Sequence, residues 1–203
     1  MKYKGRGCKV MEKVVVVGGS GFVGSHVADC LSDNGYQVII FDYINSPWLR
    51  ADQNMVIGDI LDTDKLEQTI KGAKYVYNFA ALADLNQALD KPVKTVEINI
   101  LGNLNVLEAC RIHNVKRFIY ASTVYVHSRE GSFYRCSKQS SESYVDEYQK
   151  AYNLDYTILR YGSLYGPRAD DTNGMYRIVS SALKTGKVQY KGNFESMREY
   201  IHV

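Results

Sequence analysis

Apolar positions in this chain fall into short unbroken runs separated by longer stretches of helical spacing. Residues 14–17 are four consecutive valines, without the polar alternation of a half-exposed strand. Such a run predicts a strand buried on both faces, as in a parallel sheet. Helical spacing follows over 22–34, and Gly35 is a natural stop. Further strands are predicted at 37–41, ending at Asp42, and at 55–57, 75–79, 117–121 and 157–160. Helices are predicted over 62–70, with Asp62 as N-cap, and over 93–113 and 137–152. Strands alternating with helices imply a doubly wound α/β fold: a mostly parallel sheet covered on both faces. After Tyr161 the rhythm changes. Gly162, Gly166, Pro167 and Gly174 mark loops, a helix is predicted near 176–185, and short β-like pieces at 188–190 and 199–203. The expected organisation is a tail over 1–12, a doubly wound domain over 13–166, and the beginning of a small C-terminal lobe over 167–203.

Composition narrows the class. Of the 203 residues, 45% are hydrophobic and 23% charged, which describes a globular chain and argues against disorder. A net charge of +3, with no Lys/Arg cluster interleaved with aromatics, argues against a nucleic-acid partner. No segment is apolar enough to span a bilayer, and the basic N-terminus lacks the apolar stretch of a signal peptide. Cys8, Cys30, Cys110 and Cys136 have neither CxxC nor metal-ligand spacing, so they read as free thiols in a reducing, cytoplasmic setting with no metal site.

The valine run leads directly into Gly18-Gly19-Ser20-Gly21-Phe22-Val23-Gly24. A strand that must turn sharply into a helix while its amides face a pyrophosphate needs residues without side chains there. The helix N-terminus adds partial positive charge. Asp42 ends the next strand, 18 residues beyond Gly24, where a carboxylate can accept from the adenine ribose hydroxyls. A 2′-phosphate would be repelled there, so the expected cofactor is NAD rather than NADP. Strand, glycine turn, helix and acid together give the Rossmann-type arrangement.

Tyr134 and Lys138 form a YxxxK pair, which helical spacing puts on one face. A nearby ammonium lowers a phenol's pKa and suits it to general-base work. With 17 tyrosines, such spacing arises about once by chance, so position must carry the argument. Ser122 and Thr123 end the fifth strand at the carboxyl edge, where doubly wound sheets bind ligands. Either hydroxyl could share a proton with Tyr134, or simply make local turn bonds.

Taken together, GGSGFVG at Gly18, FDY with Asp42, GDI at Gly58, NFAALA at Asn78, EINILGNLNVLEA at Glu97, FIYASTVYV at Phe118, YRCSK at Tyr134, LRYGSLYGPR at Leu159 and REYIHV at Arg198 resemble the extended short-chain dehydrogenase/reductase family, in its NAD-dependent epimerase/dehydratase branch. The resemblance implies a nucleotide-sugar epimerase acting by transient hydride transfer to NAD, on a UDP-sugar. It implies that Gly18, Gly21, Phe22, Val23 and Gly24 surround the pyrophosphate, that Asp42 holds the ribose, and that Asp59 and Ile60 border the adenine. Phe79, Ala80, Ala81 and Tyr161 would line the path to the nicotinamide. Tyr134 would be the base, Lys138 its modulator and ribose ligand, and Thr123 the hydroxyl partner, with Ser122 as substitute. Ser163 and Arg198 would meet the substrate. A homodimer through the two long helices is also implied, with Ile98, Leu101, Leu104 and Leu107 serving either interface or core.

Three departures bear on the reaction. Dehydratases of this family place Asp-Glu after the threonine, whereas Val124 and Tyr125 follow Thr123; this favours epimerisation or simple oxidoreduction. The stretch from Thr123 to Tyr134 is short, so the loop 126–133 is expected to form an altered pocket wall. Ser163 stands where many members carry Asn. Family members also run past the YIHV segment, so a binding module without turnover is the competing expectation.

Overall fold

A computed structural model describes residues 11–188, 195, 197 and 199–203. The tail's first ten residues, most of the 188–190 piece, and Arg198 lie outside them.

The valines of β1 (Lys13–Val17) have no solvent exposure and occupy the middle of the sheet. β2 (Gln37–Asp42), β3 (Gln53–Ile57), β4 (Tyr75–Asn78), β5 (Arg117–Thr123) and β6 (Tyr156–Tyr161) complete it, in the order β3-β2-β1-β4-β5-β6, all parallel. Order reverses between β1 and β4, and a crevice opens there at the carboxyl ends of the strands. Side chains alternate across the pleat. Val15, Val17, Phe41, Val76, Phe118 and Tyr120 face Leu66 and Ile70 of α2 (Thr63–Ile70), Val106 and Leu107 of α5 (Gly102–Ile112) and Val145 of α6 (Ser132–Tyr152). On the opposite face, Val14, Val16, Val38 and Ile40 meet Ala28 and Leu31 of α1 (Phe22–Asp33), and Tyr75, Tyr77 and Phe79 stay only part-buried at that core's edge. Cover is therefore thinner on the second face than expected.

The predicted helix over 93–113 divides into α4 (Pro92–Val96), a π-helical turn (Glu97–Leu101) and α5. Before it, α3 (Leu85–Asp90) is an element the hydropathy pattern does not announce; the Asp84 carboxylate caps it by accepting from Gln87 N at 2.9 Å. A 3-10 turn (Val124–His127) follows β5. α6 begins five residues earlier than predicted, because Gly131 takes a left-handed φ of +96° and bends the chain into the helix at Ser132. Beyond β6, β7 (Ser163–Tyr165), in a stretch whose glycines predict loop only, pairs in parallel with β8 (Tyr200–His202), which falls within the β-like piece expected at 199–203. α7 (Gly174–Thr185) stands beside them.

Candidate active site

The glycine turn is shaped by two kinds of restriction. Gly18 has φ +78°, and a Cβ there would lie 2.4 Å from Ala80 N; one at Gly24 would lie 2.2 Å from Gly18 O. Both residues let α1 seat closely on β1 and β4. Gly21 differs: a Cβ would meet only Gly18 O, at 3.5 Å, so the protein itself leaves this position open. The first-turn amides of α1 at Phe22 and Val23 have no intrahelical acceptor and edge the same space. A side-chain-free, amide-edged cradle fits a pyrophosphate. Beside it, Asp42 Oδ2 accepts from Ser20 N (2.9 Å), and Ile44 N donates more loosely to Oδ1 (3.4 Å). These bonds fix the carboxylate at the end of β2, with lone pairs remaining for a ribose.

The cradle opens into a cleft of about 840 Å³, within the usual range for ligand sites. Of the residues predicted for the site, Gly18, Gly21, Phe22, Val23, Gly24, Phe79, Ala81, Thr123, Tyr134, Lys138, Tyr161 and Ser163 line it. Asp42 and Ala80 stand just behind the turn, the latter donating its amide to Asn78 Oδ1. Asp59 and Ile60 do not reach the cleft. Asp59 Oδ1 accepts from Leu61 N, and the Ile60 side chain is spent in the core against Gly102. The loop 126–133 forms no part of the wall, contrary to expectation: the 3-10 turn folds it away and Tyr125 faces the cleft instead.

Tyr134 and Lys138 stand one turn apart on α6. Lys138 is buried. Its Nζ donates to Ala121 O at 2.7 Å, lies 4.6 Å over the Tyr120 ring and sits 5.7 Å from the Tyr134 ring centroid. Burial pulls its pKa down to about 7, against a smaller opposing pull from Glu142. Burial also pushes the Tyr134 phenol up to about 12, with Tyr125 adding to the rise. The expected lowering of that phenol is thus not a property of the protein by itself; desolvation outweighs an ammonium directed at a carbonyl. Neither hydroxyl of β5 is idle. Thr123 Oγ1 accepts from Tyr125 N (3.3 Å) and keeps its own hydrogen to give. Ser122 Oγ instead donates to Glu142 Oε1 (2.5 Å), and Arg160 Nη2 grips the other oxygen of that carboxylate (2.7 Å).

A buried polar network absent from the sequence reading braces this geometry. Asn99, in the π-helical turn, accepts from Leu82 N (2.7 Å) and donates to Leu82 O (3.2 Å) and Ser137 Oγ (2.9 Å). Ser137 Oγ donates to Tyr134 O (2.8 Å), and Ser141 Oγ to Asn99 O (2.8 Å). The turn therefore ties the 79–84 wall to the helix carrying Tyr134. Thr95, Asn99 and Asn103 recur every four residues and are all buried, a polar stripe inside an apolar helix that could have flagged the network.

A sequence model of the NAD dependent epimerase/dehydratase family matches residues 14–203. A putative UDP-glucose 4-epimerase of Methanocaldococcus jannaschii is 30% identical, over 94% of this chain and 69% of its own length. The UDP-glucose 4-epimerase of Thermotoga maritima, solved with UDP-glucose, superposes with a TM-score of 0.86 at 30% identity, over 94% of this chain and 69% of that one. The UDP-glucose 4-epimerase of Thermus thermophilus, solved with NAD, gives 0.82 at 28% identity, over 94% and 70%.

Proposed function

The chain belongs to the NAD dependent epimerase/dehydratase family, and from that premise we propose that it is an NAD-dependent nucleotide-sugar epimerase acting on a UDP-sugar. The observation that carries this reading is that Tyr134 and Lys138 open into the same cleft as the glycine turn. NAD, when bound, supplies the hydride acceptor and donor. The residues of the turn and Asp42 would hold its diphosphate and ribose, and Phe79, Ala81 and Tyr161 its nicotinamide end. Tyr134 takes the proton from a sugar hydroxyl and returns it after the keto-sugar has presented its other face. A phenol held up by burial needs a cation brought close before it can act as a base. The cationic ring of the oxidised cofactor is one source; Lys138, able to gain or lose a proton near neutrality, is the other. Thr123 has a hydrogen free for the reacting oxygen, and Ser163 would touch the sugar nucleotide, as Arg198 would by the sequence resemblance. Incubation with NAD and UDP-glucose should yield the 4-epimer, read by anion-exchange chromatography; NAD binding without conversion of any UDP-sugar would overturn the reading.

That negative result would favour a binding module without turnover. The observation on its side is α7, which buries none of its residues and so walls the substrate end loosely. A homodimer is part of the proposal as well: Leu107 is core, but Val93 and Val96 of α4 and Leu101 of the π-helical turn are exposed, Leu101 by 49%. A monomeric mass by light scattering at micromolar concentration would count against it.

A further inference from the structure

One side chain fastens the loop between β7 and α7 to the opposite side of the crevice. Arg168 has φ +68°, in the left-handed region that side chains rarely adopt. Its Nη2 donates to Asp29 Oδ2 of α1 at 2.6 Å, with the two side chains only 19% and 21% exposed. Its guanidinium carbon lies 5.0 Å from the centre of the Trp48 ring. Next to it, His26 Nε2 and Pro167 O are 2.9 Å apart. Asp29 Oδ1 accepts from Gln53 Nε2 at 3.0 Å, which ties the start of β3 to the same point. Trp48 belongs to the connection that leaves β2 at Asp42, and that connection is pinned to the glycine turn where Ser20 Oγ donates to Ile44 O (3.0 Å). The loop carrying Arg168 continues into Asp170, Thr172 and Asn173, which line the cleft. One guanidinium thus joins α1, the segment behind the cofactor carboxylate, and the substrate-side wall. Two local costs, the left-handed φ and a buried Nη1 with no acceptor among the described residues, are held in place by these contacts.

We propose that Arg168 is a positioning residue: a latch that sets the 166–173 loop over the cleft and couples its stance to the segment following Asp42. The inference rests on the cleft taking NAD and a sugar nucleotide as proposed above. Arginine suits the task because its planar fork donates at the edge while its face stacks on an indole, which lysine does less well. Trp48 is the chain's single tryptophan, so its emission reports the latch directly. The test compares the parent with Arg168→Met, Arg168→Lys and the milder Asp29→Asn. Without ligand, Arg168→Met should alter the intensity and lower the anisotropy of Trp48 emission, with Arg168→Lys intermediate. In turnover, KM for UDP-glucose should rise about tenfold in Arg168→Met while kcat stays within about twofold, and Asp29→Asn should move KM the same way. Unchanged Trp48 emission in Arg168→Met overturns the latch, as does an unchanged KM in both Arg168→Met and Asp29→Asn. Calorimetry of the parent with NAD tests the reading of the cleft separately, since the ligand-free emission comparison needs no ligand.

Discussion

The two walls of the cleft are built on different principles. On the cofactor side, α1 presses Gly24, Ser25, Ala28 and Leu31 onto a sheet whose central valines see no water. On the substrate side, α7 has a clearer apolar stripe than α1 but buries none of it; Leu183 is 83% exposed. An amphipathic pattern states what a helix can bury, and a facing surface decides whether it does. The cofactor wall is held by packing. The substrate wall is held by a short two-stranded sheet and a few polar ties, of which Arg168 is one. Placement of a cofactor demands a fixed cradle; under the reaction proposed above, a sugar presenting first one face and then the other would be served by a less tightly packed wall.

The sharpest test lies at the seam between the walls. Tyr134→Phe should lower kcat by about 10² to 10⁴-fold, the usual span for a lost general acid–base group, with the melting temperature held; a smaller loss would move the chemistry to another residue. Within the cofactor wall, Leu31→Ala should cost about 2–5 kcal/mol in urea unfolding, as for other buried leucines. Lys138→Met probes the seam differently. The Lys138 pKa is about 7 in the folded chain against an ordinary 10.5, so between these values the unfolded chain binds a proton that the folded one refuses. Stability contributed by this site therefore rises with pH across that window, and the full cost of burial is present below it. The Met variant should be more stable than the parent near neutrality and should lose that rise, as urea titrations at both ends of the window would show. Gly21→Ala, at the one glycine of the turn that the protein leaves open, should weaken NAD about tenfold in calorimetry while leaving the melting temperature nearly unchanged. Smallest of all, Leu183→Ala on α7 should stay within about 0.5 kcal/mol of the parent; a cost near that of Leu31→Ala would erase the asymmetry between the walls.

How much of this could be read from the chain follows the same division. The sheet, its flanking helices and the glycine turn announce themselves because burial on both faces and a side-chain-free turn restrict residue choice at consecutive positions. The cleft-lining residues expected from sequence come from that part, or from the motif that follows it. Ile60 shows that a residue next to a site in sequence can still turn its side chain to the core. Tyr125 and the Asp29–Arg168–Trp48 cluster escaped because they come together only through long-range packing, 139 positions separating the ion pair. Asp84 and Gln87 had the spacing of a helix start, but six residues are too few for periodicity to register. Helical spacing puts Lys138 beside Tyr134, but its hydrogen-bond partner, the carbonyl of Ala121, is a backbone group and leaves no trace in residue identity.

The π-helical turn at Glu97–Leu101 bears on how this scaffold tolerates changes of length. It wraps one residue more than an α-helical turn, and Asn99 sits within that widened turn. Loss of a single residue within that turn would return it to α-helical geometry and keep Leu107 and Cys110 against the sheet, whereas loss of one elsewhere in the α4–α5 rod would rotate everything downstream by about 100° about its axis. Length changes should therefore be excluded from the α-helical parts of this rod in natural variants, fall at the π-helical turn when they are single residues, and otherwise gather in the surface connections, such as the one between β2 and β3.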